Sequence, residues 1–335
     1  MIFRFFIFSF GGLLIFSSAF SQEKAKPKTV AAKSKHSGKT SLVLKSQNAY
    51  EFKFSLGEKK QDSSLLYIKK YNEKGSLIED SSPGGKIVYK YNEKGKLILE
   101  TSYNADNTVH YMDVYSYDSL ENMKEKTEFE NSPKDSSGSG KIVFKTASKY
   151  NPKSLEIEKT FFDSDGKIQS RQIFAYDAKG NKTEEADYDS ASIQTGKKVL
   201  AYDVKNKIIL MLLMKKDSVT AKYAYEYNEA GLKTKSLCYE SDGSINYKTI
   251  YEYDTRKNLI SENTYQSAGT TRTVWQYDTK GNKISEIKYD GTGNVLLKST
   301  YRYNEKNRMS EETVYDLYDE PASAIKYYYE YFPGK

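Results

Sequence analysis

Residues 223–243 read YAYEYNEAGLKTKSLCYESDG. Tyr223, Tyr225 and Tyr227 alternate with Ala224 and Glu226, the period of two that puts aromatic rings on one face of a strand and charge on the other. Asn228 follows, and Gly231 stands four residues after Tyr227. An Asn opening a turn bonds its own backbone two residues on, and the glycine supplies a positive φ that other residues adopt at a cost. Twelve residues after Tyr227 comes Tyr239, and a second turn ends at Gly243. The stretch therefore reads as a β-hairpin unit, and its turn chemistry suits a four- or five-residue loop built round a type I turn.

The unit recurs along the chain. Tyrosine followed by Asn or Asp occurs at Tyr71, Tyr91, Tyr117, Tyr150, Tyr176, Tyr202, Tyr227, Tyr253, Tyr277 and Tyr303, most often 26 residues apart. Four residues after these anchors stand Gly75, Gly95, Gly180, Gly231 and Gly281, or Asn206 and Asn307, with Glu121, Ser154 and Lys257 as exceptions. Twelve residues after the anchors a second aromatic register appears, including Tyr103, Phe129, Phe162, Tyr265, Tyr289 and Tyr315, and Met214 breaks it. One spacing of 33 places an insertion in SPKDSSGSG, Ser132 to Gly140, which reads as an exposed loop. Such periodicity marks a repeat protein whose units contact mainly their neighbours. The fold class expected is all-β: tandem β-hairpin repeats of about 26 residues forming a long antiparallel meander sheet or an open solenoid-like array.

Tracts such as YDAKGN at Tyr176 and YDTKGN at Tyr277 resemble the YD repeats of the Rhs family over roughly residues 65–335. The resemblance implies strand-turn architecture and an exported setting. In that family the repeats wind into a hollow shell around a C-terminal toxin. This chain looks too short for a closed shell and ends YYYEYFPGK, which reads as one more anchor at Tyr331 with no room for a toxin domain.

The chain begins with Arg4, an apolar run from Phe5 to Phe16, and Ala19 and Ser21 before Gln22, the pattern of a signal peptide over residues 1–21. A run of twelve is too short to cross a bilayer core that needs about 20 residues. Residues 22–41 hold six lysines and one glutamate and read as a basic, disordered linker. Removing Arg4 and that linker from 52 basic and 45 acidic residues leaves 45 and 44, so the repeat domain, 42–335, is close to neutral. That balance excludes the broad basic footprint of a nucleic-acid binder. A single cysteine, Cys238, allows no internal disulfide and reads as a packed thiol.

The sequence offers little for catalysis. His36 lies in the linker and His110 in a strand, so a triad or a two-histidine metal site on one frame is not expected. The fragments DSDG (Asp163, Asp165, Gly166) and DGTG from Asp290 to Gly293 resemble pieces of calcium loops, but turn chemistry already accounts for them. No catalytic residue, metal or cofactor is expected. The function expected is an exported, non-catalytic repeat scaffold in the periplasm, at the cell surface or outside the cell. It would contact an envelope or extracellular protein, with no nucleic acid, no transmembrane segment after signal cleavage, and edge-to-edge self-association open to it. The alternative is a glycan-binding module using aromatic platforms. Its candidate ligand surface is Tyr327, Tyr328, Tyr329 and Tyr331, read as a terminal uncapped edge, together with Trp275.

Overall fold

The computed structural model describes residues 42–54, 63–130 and 140–333. The expected signal peptide, the basic linker and nearly all of the loop after Ser132 lie outside the described residues. Twenty-two antiparallel strands follow one another from β1 (Leu44–Lys53) to β22 (Pro321–Tyr331). Each pairs with the next in the chain, and β1 pairs with β22. At this seam Asn48 faces Tyr328 and Ala49 faces Tyr327. Beyond the two ends of the seam, Phe54 N–H donates to Ala322 O at 3.0 Å and Phe332 N–H to Val43 O at 2.9 Å.

The sheet is thus a closed up-and-down β-barrel, which overturns the open meander or solenoid-like array. An even strand number lets first and last strands meet antiparallel. At about 4.8 Å per strand, 22 strands span about 105 Å measured across the strands, which sets about 35 Å as the least width of a circular ring, and strand tilt widens it further. Closing such a ring turns each strand from its neighbour by only about 16°. Strands contact only the strands beside them, so the wall is a single layer.

The anchor turns are tighter than the sequence suggested. Asn72 N–H donates to Ser76 O and Gly75 N–H to Asn72 O, both at 2.9 Å, which leaves a three-residue loop. This is a type I turn followed by a left-handed residue and a bulge. The side chain supports it: Asn72 Oδ1 accepts from Lys74 N–H at 3.0 Å and Ser76 N–H at 2.9 Å. The three exceptions to the Gly/Asn rule adopt the same backbone, with φ of 65° at Glu121, 57° at Ser154 and 71° at Lys257. A left-handed L-residue costs roughly 1–2 kcal/mol. Lys257→Gly should therefore stabilise the barrel by about 0.5–1 kcal/mol, measured by urea denaturation, after the glycine's own unfolded-state entropy is counted.

Register shifts by one residue at all ten anchors. Between β14 (Ser218–Tyr227) and β15 (Lys233–Tyr239), Glu226 faces Lys235 and Tyr227 faces Lys233, so Thr234 is the extra residue. The bulge changes the phase of the second strand. Tyr239 consequently faces Lys222, on the side opposite Tyr223, Tyr225 and Tyr227. One aromatic face and one charged face were expected; the structure instead mixes both kinds on each.

The second-register rings are covered by their cross-strand cations, as with Lys86 on Tyr103, Lys222 on Tyr239, Lys248 on Tyr265 and Lys298 on Tyr315, 4.7–5.2 Å from the ring centres. Each such contact is worth about 0.5–1 kcal/mol at a wet site. The buried apolar side chains are few: Ala49, Phe174, Ala186, Cys238, Tyr301 and Ala324 among the described residues. Small polar residues at mid-strand, such as Thr101, Thr127, Thr160 and Ser261, are buried as deeply. The ladder of backbone bonds and cross-strand pairs, more than a thick apolar core, holds this barrel.

Candidate functional site

The anchor tyrosines form one continuous device. From Tyr91 to Tyr303 each phenol donates to the carbonyl of the residue that faces the preceding anchor, as Tyr91 to Leu77, Tyr227 to Ile208 and Tyr303 to Lys283, at 2.7–2.9 Å. The last such bond comes from Tyr329, to Met309 at 2.6 Å. The final anchor is therefore Tyr329, 26 residues after Tyr303, and not Tyr331 as the terminal sequence suggested. Burial raises the pKa of all ten anchors from Tyr71 to Tyr303. Tyr227→Phe should cost about 1 kcal/mol in chemical denaturation, because it removes a hydrogen bond and leaves a half-buried carbonyl unpaired.

Adjacent anchor turns are also stitched together along that rim. Asn181 Nδ2 donates to Asn206 Oδ1 at 3.1 Å and Asn282 Nδ2 to Asn307 Oδ1 at 2.7 Å. The same asparagines donate to the second oxygen of Asp177 and Asp278, which lowers both carboxylate pKa values.

The expected ligand residues do not converge. Tyr327 and Tyr329 lie on the anchor face of β22 and Tyr328 on the other, because neighbours in a strand point to opposite sides. Tyr327 approaches Glu312 at 3.5 Å, and its pKa is raised by burial and then by that carboxylate. Tyr328 is 52% exposed and meets Tyr50 edge-on at 5.7 Å. Tyr331 has Lys306 Nζ 3.5 Å from its ring centre, and its buried hydroxyl has no hydrogen-bond partner. The edge is not uncapped, since β22 pairs along its length with β1. Closure, which no residue pattern announced, is what covers it.

Trp275 lies on β18 (Gly269–Tyr277), away from the seam. It lines a cavity of about 410 Å³ between two anchor turns, with Asp254, Arg256, Asn258, Gln276 and Asp278. The repeat explains its placement: Trp275 stands two residues before an anchor, where Tyr89, Tyr225, Tyr251 and Tyr301 stand in other units.

Sequence reading missed Asp113 on β6 (Val109–Tyr117), which is 1% exposed. Its Oδ2 accepts from Lys126 at 2.8 Å, while Oδ1 has no partner. Glu100 and Glu128 are its direct cross-strand neighbours. Only the register, invisible in the sequence, aligns these three carboxylates. Among the described residues no group of three or more His, Cys, Asp or Glu side chains could hold a metal. Asp163 and Asp290 cap their own turns, Asp290 accepting from Thr292 N–H and Asn294 N–H at 2.9 Å. The Thr292 hydroxyl bond leads in lowering the Asp290 pKa to about 2. Cys238 is a buried free thiol raised by burial, and His110 is exposed beside the Tyr111 ring.

The family described as "Protein of unknown function (DUF2963)" matches residues 214–264. No curated protein matches the chain. Among solved structures the chain is similar to the TcdB2-TccC3-Cdc42 structure, at 15% identity and a TM-score of 0.40, over 75% of this chain and 14% of that one. It is similar also to a porin-like protein from Bacteroides uniformis, at 9% identity and a TM-score of 0.32, over 86% of this chain and 96% of that one. A porin-like protein from Bacteroides vulgatus matches at 10% identity and a TM-score of 0.24, over 88% of this chain and 100% of that one.

Proposed function

We propose that the protein is an exported, non-catalytic scaffold whose closed barrel offers side-chain surfaces to an envelope or extracellular protein. The observation that carries this reading is the uninterrupted ring. The same anchor bond and bulge recur unit after unit, and β1 and β22 use up both free edges. With no edge left, a partner meets faces and rims instead of adding a strand. The signal-peptide pattern supports export.

A membrane-spanning barrel turns an apolar band about 25 Å tall toward lipid. Here both faces carry mid-strand ion pairs: Lys126–Asp113 at 2.8 Å and Lys69–Asp80 at 3.5 Å on the anchor face, Lys145–Glu125 and Lys197–Glu184, both at 2.7 Å, on the other. Water on both sides fits this pattern better than lipid.

A photo-crosslinking residue at Val204 (88% exposed) or Tyr328, in the producing cell, tests the reading. A discrete protein adduct recovered outside the cytoplasm supports it. Retention of the full chain in the cytoplasm, or absence of any protein adduct, counts against it. The Trp275 cavity favours glycan binding as a second reading, because an indole platform beside Arg256 and Asn258 suits a sugar ring. Trp275 is the sole tryptophan, so its fluorescence reports the site directly. A saturable change with soluble peptidoglycan fragments, abolished by Trp275→Tyr, would favour glycan binding.

A further inference from the structure

The two ends of the barrel differ in charge. The ten anchor turns, from 72–76 to 304–308, hold 12 basic and 10 acidic residues, a net of +2. The described connections at the other end run from 82–85 to 316–320 and hold 3 basic and 11 acidic residues, a net of −8. Segments 55–62 and 131–139, outside the described residues, carry equal numbers of acids and bases and leave that balance unchanged.

The acidic end also breaks the repeat once. Most of its turns carry small or polar tips, such as Ser164–Asp165, Ser241–Asp242 and Gly291–Thr292. The turn Asp316–Glu320 instead presents Leu317 and Tyr318, which are 81% and 80% exposed, beside three acids. Two adjacent exposed apolar side chains beside acids set this turn apart from the polar tips of its neighbours on the same rim.

We propose that the acidic rim docks the chain's own lysine-rich segment, residues 22–41. Charge complementarity is the first ground: that segment has a net charge of +5. Its pattern is the second. Val30, Ala31 and Ala32 sit between Lys24, Lys26 and Lys28 on one side and Lys33, Lys35 and Lys39 on the other, an apolar centre flanked by cations to meet Leu317 and Tyr318 flanked by acids. Reach is the third. The chain enters the barrel at Val43, at the anchor-turn end. Twenty extended residues span up to about 70 Å, whereas an eight-residue strand rises about 26 Å. Tethering supplies a high effective concentration for an otherwise weak contact.

Trypsin cleavage between Lys24 and Lys39 in the full chain tests this. A variant with Asp106→Asn, Asp165→Asn, Asp242→Asn, Asp319→Asn and Glu320→Gln removes five charges, and asparagine keeps the turn bonds that Asp106 and Asp242 make. A second variant, Leu317→Ser with Tyr318→Ser, removes the apolar pair. At about 20 mM salt the segment should be cut about tenfold more slowly than in either variant, and the difference should vanish near 0.5 M salt. Protection independent of protein concentration supports docking on the segment's own barrel, whereas protection growing with concentration would place it on a neighbouring copy and overturn the tethered contact. Equal cleavage rates in parent and variants, with unchanged β circular dichroism, would overturn the proposal.

Discussion

Deleting residues 228–253 should leave a folded, closed, slightly less stable barrel of two fewer strands, whereas deleting residues 228–239 should abolish closure. The first deletion removes β15 and β16 (Ile245–Tyr253) and joins Tyr227 directly to Asp254. Anchor and turn then meet in the register used everywhere else, with β14 facing β17 (Leu259–Gln266). The second deletion removes β15 alone and joins Tyr227 to the Glu240–Gly243 turn. Local hairpins survive, but every later strand runs in reverse and β22 reaches β1 parallel. The seam has nine register pairs. At roughly 0.5–1.5 kcal/mol for each backbone bond, its loss costs on the order of 5–10 kcal/mol, comparable with the whole stability of a domain. Monomeric size and β circular dichroism should persist after the 26-residue deletion. Open edges and aggregation should follow the 12-residue one. Equal behaviour of the two would mean that the ends do not depend on each other.

Raising the pH past about 10 should unfold the barrel cooperatively. All ten anchors from Tyr71 to Tyr303 have pKa values raised first by burial. Tyr89 and Tyr225 are pushed up to about 12, and Tyr115 is raised by burial and then by Asp113 and Glu100. A phenol whose folded pKa is raised contributes stability that is complete below its unfolded value near 10. That stability drains away above it, as the unfolded chain ionises first. Each anchor from Tyr91 to Tyr303 also loses its donor to the neighbouring carbonyl on ionising. Absorbance at about 295 nm and β circular dichroism should therefore change together, in one steep transition. Smooth tyrosinate formation centred near pH 10 with the β signal intact would mean that the phenols are not structural. The acid side has the opposite sign. Asp177, Asp278 and Asp290 have depressed pKa values, led by hydrogen bonds from Asn181, Asn282 and Thr292. Their contribution is present above about pH 4 and is lost as pH falls through the depressed values, about 2 for Asp290.

Strand and turn positions were legible because they rest on local chemistry. Alternation sets the strand, and Asn72 with Gly75, or Asp203 with Asn206, sets the turn. Three features were not legible, each for a physical reason. Glu121, Ser154 and Lys257 adopt the left-handed turn backbone without its residue signature, because ladders on both sides impose it. The second aromatic register changed faces because a bulge adds one residue, and a count along the chain does not reveal which side of a pair is lengthened. Closure depends on curvature summed over the whole sheet and on strand-number parity, neither of which belongs to any single unit.

The candidate site followed the same division. Trp275, named as a candidate ligand residue, lines a cavity, while the terminal tyrosines were singled out for an edge that closure removes. Tyr331 was mistaken for an anchor because it ends a Tyr-rich run, although the 26-residue count from Tyr303 leads to Tyr329. Asp113 gave no sequence signal, since its burial depends on Glu100 and Glu128 lying opposite on neighbouring strands.

The most direct test of closure is a disulfide across the seam. Asn48→Cys and Tyr328→Cys, with Cys238→Ser to remove the native thiol, place two thiols at residues that face each other between the first and last strands. Antiparallel partners have Cα atoms about 4.5–5.5 Å apart, within disulfide range. Mild oxidation should yield a monomeric, internally linked chain in near-quantitative amount, while Asn48→Cys paired with Tyr188→Cys, in strands that do not touch, should not link. Free thiols after oxidation, or links only between separate chains, would contradict the closed ring.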